Sequence, residues 1–127
     1  MQKSGEDYLE AILILTIKQE SEQVRSTDIA KHLGVTKPSV SRAMSNLKEA
    51  GFVEMENYGH VSLTAKGRAI AEEVYERHRM LTRFFRDILG VEKTIAEHDA
   101  CLIEHDISPE SMQKLTEFIR GFESYGK

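Results

Sequence analysis

The stretch Thr36-Lys37-Pro38-Ser39-Val40-Ser41-Arg42-Ala43-Met44-Ser45-Asn46-Leu47-Lys48-Glu49-Ala50-Gly51-Phe52-Val53-Glu54-Met55-Glu56 decides the fold. Pro38 favours a first helical turn. Val40, Met44 and Leu47 recur at spacings of four and three, so one face of the helix is apolar. The helix is expected to stop near Gly51. Its outer face carries Lys37, Ser39, Ser41, Arg42, Ser45 and Asn46. These are cations and short hydrogen-bonding side chains, which suit the base edges and phosphates of a major groove. Taken alone, the same face is equally consistent with an ordinary solvated surface. The residues that follow remove the tie. Phe52 to Glu56 alternates as a strand does, Asn57-Tyr58-Gly59 reads as a turn, and His60 to Thr64 alternates again. That is a β-hairpin of the size of a wing.

Working upstream, Ser26 or Thr27 is placed to cap a short helix over residues 28–33, and Gly34 to end it in the left-handed conformation. Residues 5–19 bring Leu9, Ile12, Leu13 and Ile17 near one face of a further helix. Two helices around a tight turn, followed at once by a hairpin, form the winged helix-turn-helix order, and DNA binding is the expected function. Downstream, Thr64 caps a long helix over residues 65–88, with Ile70, Val74, Leu81, Phe85 and Ile88 available for packing, and Leu89-Gly90 ends it. A helix over 92–106 follows. Ser108-Pro109-Glu110 then opens the last helix, which carries Met112, Leu115, Ile119 and Phe122. The expected fold is mainly α. A winged helix-turn-helix domain of three helices and a hairpin wing occupies 1–70, and an all-helical domain occupies 71–127. The second half is too small to bury its apolar stripes alone, so a homodimer is expected.

The totals agree with this. The chain has 127 residues, 40% hydrophobic and 30% charged, which is ordinary for a globular protein. No apolar run reaches the roughly 18 residues that span a bilayer. The N-terminus turns acidic at Glu6-Asp7 and lacks a signal-peptide core. No membrane association is expected, and the expected location is the cytoplasm. The net charge is −4, but it is unevenly distributed. Between Val24 and Arg68, the basic residues Arg25, Lys31, Lys37, Arg42, Lys48, Lys66 and Arg68 outnumber the acids Asp28, Glu49, Glu54 and Glu56. The C-terminal half is acidic. DNA contact is therefore expected through one segment only.

Three groups of side chains carry metal-binding chemistry. Asp7 and Glu10 share a face of the first helix. His78 lies on the long helix. Cys101, Glu104 and His105 fall on the helix expected over 92–106, where thiolate, carboxylate and imidazole make good divalent-metal donors. Each also has a plain reading. Acids near a helix start favour the helix dipole. A single histidine is commonly structural. A single cysteine, which has no internal disulfide partner, is buried, reactive or a ligand. His32, His60 and His98 read as non-ligands, with His60 in the wing placed to approach a phosphate.

The chain resembles the diphtheria toxin repressor family of iron- and manganese-dependent regulators. The resemblance runs over nearly the whole length. It rests on Glu6-Asp7-Tyr8-Leu9-Glu10, on Asp28-Ile29-Ala30 with Val35 and Pro38-Ser39-Val40-Ser41, and on Leu63-Thr64-x-Lys66-Gly67. It continues through Arg77-His78-Arg79, Leu89-Gly90-Val91 and Asp99-Ala100-Cys101-x-x-Glu104-His105, the most specific block. It implies that Asp7, Glu10, His78, Cys101, Glu104 and His105 are metal ligands. Asp7 and Glu10 match the manganese regulators, whereas Cys101 stands where iron regulators carry cysteine, so the set is a hybrid. Thr82 and Glu97 replace the glutamate and histidine of the iron regulators' ancillary site, which is therefore not expected. Nor is the SH3-like third domain of longer members, which aligns the architecture with the short manganese-regulator branch.

The resemblance implies a repressor of metal-uptake genes that binds double-stranded operator DNA when loaded with Mn(II) or Fe(II). Zn(II) or Co(II) are further ions for binding in vitro. Metal would hold the two recognition helices of a dimer at roughly one DNA turn, about 34 Å. Lys37, Pro38, Ser39, Ser41, Arg42, Ser45 and His60 are the expected DNA-contacting residues, with Arg42 reading bases. One alternative is a winged-helix regulator that ignores metal and senses another ligand. Another is an enzyme using Cys101 and His105, but no oxyanion loop or substrate pocket is visible. Neither enzymatic activity nor a small-molecule substrate is expected.

Overall fold

The computed structural model describes residues 3–56 and 59–125, except for the side chains of 123–125. It separates into two compact units, Met1–Glu73 and Val74–Lys127, with the boundary inside the long helix.

The first unit contains α1 (Lys3–Gln19), β1 (Val24–Arg25), α2 (Ser26–Leu33), α3 (Lys37–Glu49), β2 (Val53–Glu56), β3 (His60–Leu63) and the start of α4 (Ala65–Arg83). Its core is drawn from every element: Leu9, Ile12 and Leu13 of α1, Val24 of β1, Ile29 of α2, Val40, Met44 and Leu47 of α3, Val53 of β2, Val61 of β3 and Ala71 of α4. The apolar stripe expected on α3 is therefore the buried one. The stripe expected on α1 ends earlier, because Ile17 is exposed. A helix turns 100° per residue, so a residue eight positions beyond Leu9 has drifted off its face.

The helix-turn-helix has the expected turn. Gly34 caps α2 with φ +67°, and its N–H donates to Ala30 O. Thr36 caps α3, its Oγ1 accepting from Ser39 N at 3.3 Å, with Pro38 in the first turn. The start of α2 differs from expectation. Arg25 is the N-cap residue, and no side chain caps the helix. Ser26 lies inside the helix and its Oγ donates to Gly59 O at 3.0 Å, which ties the helix start to the wing. Thr27 is likewise within the helix.

The wing is part of a three-stranded antiparallel sheet of order β1-β3-β2. Val24 pairs with Val61 and Arg25 with His60, while Val53 pairs with Leu63 and Glu56 with His60. The hairpin was legible in the sequence, but β1 was not. The turn read at Asn57-Tyr58 lies outside the described residues. Gly59 at its end has φ +73°.

The base of the wing is locked by Thr64, Lys66 and Gly67. Thr64 Oγ1 accepts from Gly67 N at 3.1 Å, capping α4 as expected, and donates to Gly51 O at 2.7 Å. Lys66 Nζ donates to Ala50 O at 3.1 Å and stands 4.4 Å over the Phe52 ring. Both carbonyls lie just past α3, where backbone acceptors lack helical partners. Gly67 faces the Phe52 carbonyl so closely that a Cβ there would lie 1.9 Å from the oxygen.

The second unit is helical. Met80 and Leu81 of α4, Ala100 of α5 (Lys93–Ile103), and Met112 and Ile119 of α6 (Pro109–Tyr125) form its core, with Phe84, Phe85, Ile88, Ile103, Ile107 and Leu115 packed around it. The helix expected over 65–88 changes character at Arg83, and Phe84–Ile88 forms a π-helical turn. Gly90 follows at φ +76°. The helix expected to reach residue 106 ends at Ile103, so Glu104 and His105 occupy a turn. Ser108 Oγ accepts from Ser111 N at 3.1 Å, the cap expected for α6. Phe122, expected in the stripe of α6, is half exposed and stacks on Phe118 at 6.3 Å. No described helix is long and apolar enough to cross a membrane.

Candidate metal centre and DNA-reading face

The second unit gathers three of the expected ligands. His78 projects from α4, Cys101 from the last turn of α5, and Glu104 from the residue that caps α5. One donor atom from each lies within 4.8 Å of the other two. The helix supplies this convergence for Cys101 and Glu104. A spacing of three puts them on one face, and Glu104 still donates its N–H to Ala100 O at 2.9 Å although the helix has ended. Thr82 stands one turn beyond His78, and its hydroxyl donates to His78 O at 2.8 Å.

Glu104 is the centre of the arrangement. Its side chain is fully buried, a costly place for a carboxylate without compensating charge. Oε2 lies 2.9 Å from His78 Nδ1. With the carboxylate ionised, that nitrogen donates. Oε1 lies 3.2 Å from His105 Nε2, within ion-pair distance, but no hydrogen bond reaches it among the described residues. A buried carboxylate oxygen with an unused lone pair, beside an imidazole and a thiol, suits a divalent cation. The three donors comprise one hard oxygen, one borderline nitrogen and one soft sulfur. That set fits Fe(II), Co(II) or Zn(II) comfortably and Mn(II) less closely, because the sulfur is a soft donor.

The cysteine expected to be buried, reactive or a ligand is exposed, while Glu104 and the His105 side chain are shielded. Asp7 and Glu10 sit on α1 of the first unit. Asp7 is half-buried, and Glu10 is buried. Glu92 caps α5, and its carboxylate accepts from Ile95 N at 3.2 Å. The Thr94 and Ile95 backbone N–H groups hold its pKa below the ordinary carboxylate value.

On the first unit, Lys37, Pro38, Ser41, Arg42 and Ser45 are all exposed, on the side of α3 opposite Val40, Met44 and Leu47. Ser39 is partly committed: its Oγ shares a 2.8 Å hydrogen bond with Thr36 Oγ1. Its backbone N–H also serves the cap, so Ser39 shapes the helix start as well as facing outward. His60 lies on the central strand between Arg25 and Glu56. It lines an open groove with Arg25, Ser26, Thr27 and Gly59. Arg25, counted only among the basic residues, and Thr27, read only as a candidate cap, were not expected as DNA contacts. The signal for Arg25 was the two-residue strand, too short to show alternation, while Thr27 lies in the first turn of α2.

Two family models match the chain. Residues 1–61 match the iron dependent repressor N-terminal DNA binding domain, and residues 64–125 match the iron dependent repressor metal binding and dimerisation domain. An HTH-type transcriptional regulator of Methanocaldococcus jannaschii is 32% identical over 122 residues, covering 96% of this chain and 97% of the relative. The transcriptional regulator MntR of Salmonella typhimurium is 36% identical over 113 residues, covering 89% of this chain and 70% of the relative. A manganese-dependent transcriptional repressor solved in complex with manganese superposes with a TM-score of 0.78 at 28% identity over 91% of this chain. The chain spans 52% of the length of that solved protein.

Proposed function

This chain belongs to the iron-dependent repressor family, and on that premise we propose that it is a metal-dependent transcriptional regulator that binds operator DNA when Mn(II) or Fe(II) is loaded. The observation that carries the proposal is the buried Glu104 carboxylate, with one oxygen toward His78 and the other without a hydrogen bond among the described residues, beside the Cys101 sulfur. His78, Cys101 and Glu104 would hold the ion. The roles that the resemblance gives Asp7, Glu10 and His105 are part of the same proposal, and the alanine variant of each tests them. When bound, the cation supplies positive charge at Glu104.

The protein's own residues do the rest. The exposed face of α3 enters a major groove, with Arg42 on base edges and Lys37, Ser41 and Ser45 on the backbone. Pro38 fixes the first turn of that helix, Ser39 positions it, and His60 approaches a phosphate from the wing. A homodimer supplies two such faces, matched to a two-fold operator. Half-exposed Phe118 and Phe122 of α6 and Ile95 and Leu102 of α5 offer apolar surface of the kind a subunit interface covers. The manganese-bound relative supports Mn(II), while the sulfur of Cys101 supports Fe(II). The proposed site of action is cytoplasmic DNA, and the regulated genes are those of metal uptake.

The test is anaerobic retention of genomic DNA fragments by the purified chain at one salt concentration, in chelator and then with Mn(II), Fe(II) or Zn(II). Retention only with metal is the expected result, and the ion effective at the lowest free concentration names the signal. Equal retention in chelator overturns metal dependence and leaves a winged-helix regulator that senses another ligand.

A further inference from the structure

Cys101 is exposed, whereas its fellow donor Glu104 is fully buried and Met44, Met80 and Met112 are buried in the cores. The thiol does not stand alone. Its sulfur lies within 4.8 Å of donor atoms of His78 and Glu104, so the exposed residue of the three carries the thiol of the cluster. From this we infer that Cys101 is an oxidation site through which peroxide disables the metal centre. The inference rests on the proposed metal-dependent function and adds a second input to it.

The chemistry needs one named co-reactant, hydrogen peroxide. The Cys101 sulfur attacks one peroxide oxygen as a thiolate. An S–O bond forms, the O–O bond breaks, and the departing hydroxide takes up the thiol proton to leave as water. Sulfur is oxidised by two electrons to the sulfenic acid, and peroxide is reduced. The chain has one cysteine, so no internal thiol resolves the product. It is returned to the thiol by external thiol reductants. The added oxygen removes the sulfur lone pair from its place among the donors and inserts an atom into a cluster only 4.8 Å across. A bound cation occupies that same lone pair and protects it. Loaded protein therefore resists peroxide, and metal-free protein is locked out of loading.

The experiment exposes the reduced full chain to hydrogen peroxide with dimedone, a sulfenic-acid trap, in chelator or after loading with Mn(II), and maps the adduct by peptide mass spectrometry. The expected result is one adduct, at Cys101, suppressed by Mn(II). A parallel calorimetric titration without dimedone follows Mn(II) binding before peroxide, after it and after dithiothreitol. Affinity is expected to fall roughly tenfold or more, on the scale seen when a metal site's supporting groups are lost, and to return on reduction. Absence of an adduct, equal modification with and without Mn(II), or unchanged Mn(II) affinity after oxidation overturns the inference. The two proposals fail separately. DNA retention by reduced protein in chelator sinks metal-dependent regulation while leaving the oxidation chemistry of Cys101 to be read on its own.

Discussion

At the scale of single residues, Glu104 and Arg42 carry the most consequence. A buried carboxylate between two imidazoles is stable as an anion only while positive charge faces it. Glu104→Gln keeps the shape and removes the charge. Metal-free Glu104→Gln is expected to melt at or above the temperature of the metal-free parent. Its melting temperature should no longer rise with Mn(II), and scanning calorimetry with and without the ion checks both. An unchanged Mn(II) shift would remove Glu104 from the ligand set. Arg42 stands exposed on the reading face of α3. Arg42→Ala is expected to cost about 1–3 kcal/mol on the preferred operator and to flatten discrimination at one base position. Competition binding against single-base variants decides it, because uniform weakening across sequences would make Arg42 a backbone contact instead. Why these residues were legible differs between them. Arg42 follows from helical periodicity, which places it opposite Val40, Met44 and Leu47. The role of Glu104 came through a resemblance, since three donors spaced along one segment do not by themselves reveal which carboxylate is buried.

Among elements, the wing and the start of α5 repay attention. Thr64, Lys66 and Gly67 bind the hairpin base to the end of α3 through the Gly51 and Ala50 carbonyls and the close approach of Phe52. The backbone oxygen 1.9 Å from the position of an added Cβ cannot rotate away as a side chain would. Gly67→Ala is therefore expected to destabilise the first unit by about 1–3 kcal/mol, the usual cost of overpacking, and urea denaturation measures it. At α5 the sign of a pH effect follows from Glu92. Its carboxylate is held below its ordinary pKa by two backbone N–H groups, so the folded state prefers the ionised form. That contribution is fully present above the ordinary carboxylate value. It is lost as pH falls through the lowered one, because the unfolded chain binds the proton first. Glu92→Ala is expected to lower stability at neutral pH and to make the acid limb of the stability profile shallower, while a parallel profile would exclude the cap. The sequence showed the cap at Ser108-Pro109 plainly, but it gave no stop signal at Ile103, where neither glycine nor proline follows. The end of α5 was accordingly placed too late. The π-helical turn at Phe84–Ile88 had no signature either, since an extra residue in a helical turn leaves composition unchanged.

For the whole molecule, ligand binding and stability are one quantity. An ion that binds the folded chain and not the unfolded one should stabilise it by about 2.7 kcal/mol when free metal is a hundredfold above its dissociation constant. Calorimetric melting across a Mn(II) series at fixed protein concentration reads this, and a flat series would exclude a folded-state site. The order of helix-turn-helix, hairpin and helical half was legible because each carries its own period and punctuation: Gly34, the Thr36-Pro38 start, the alternating strands and Thr64. The short β1 was not, because two residues show no period. Yet β1 changes what the wing is. Val24 pairs with Val61, and Ser26 reaches Gly59 across 33 residues. Those contacts clasp α2 and α3 inside a single ring of chain, closed by the hairpin. Removing or nicking the hairpin would open the clasp as well as trim a DNA contact, so the reading unit is expected to be gained or lost as a whole, with no half-formed version left to grip the wrong DNA.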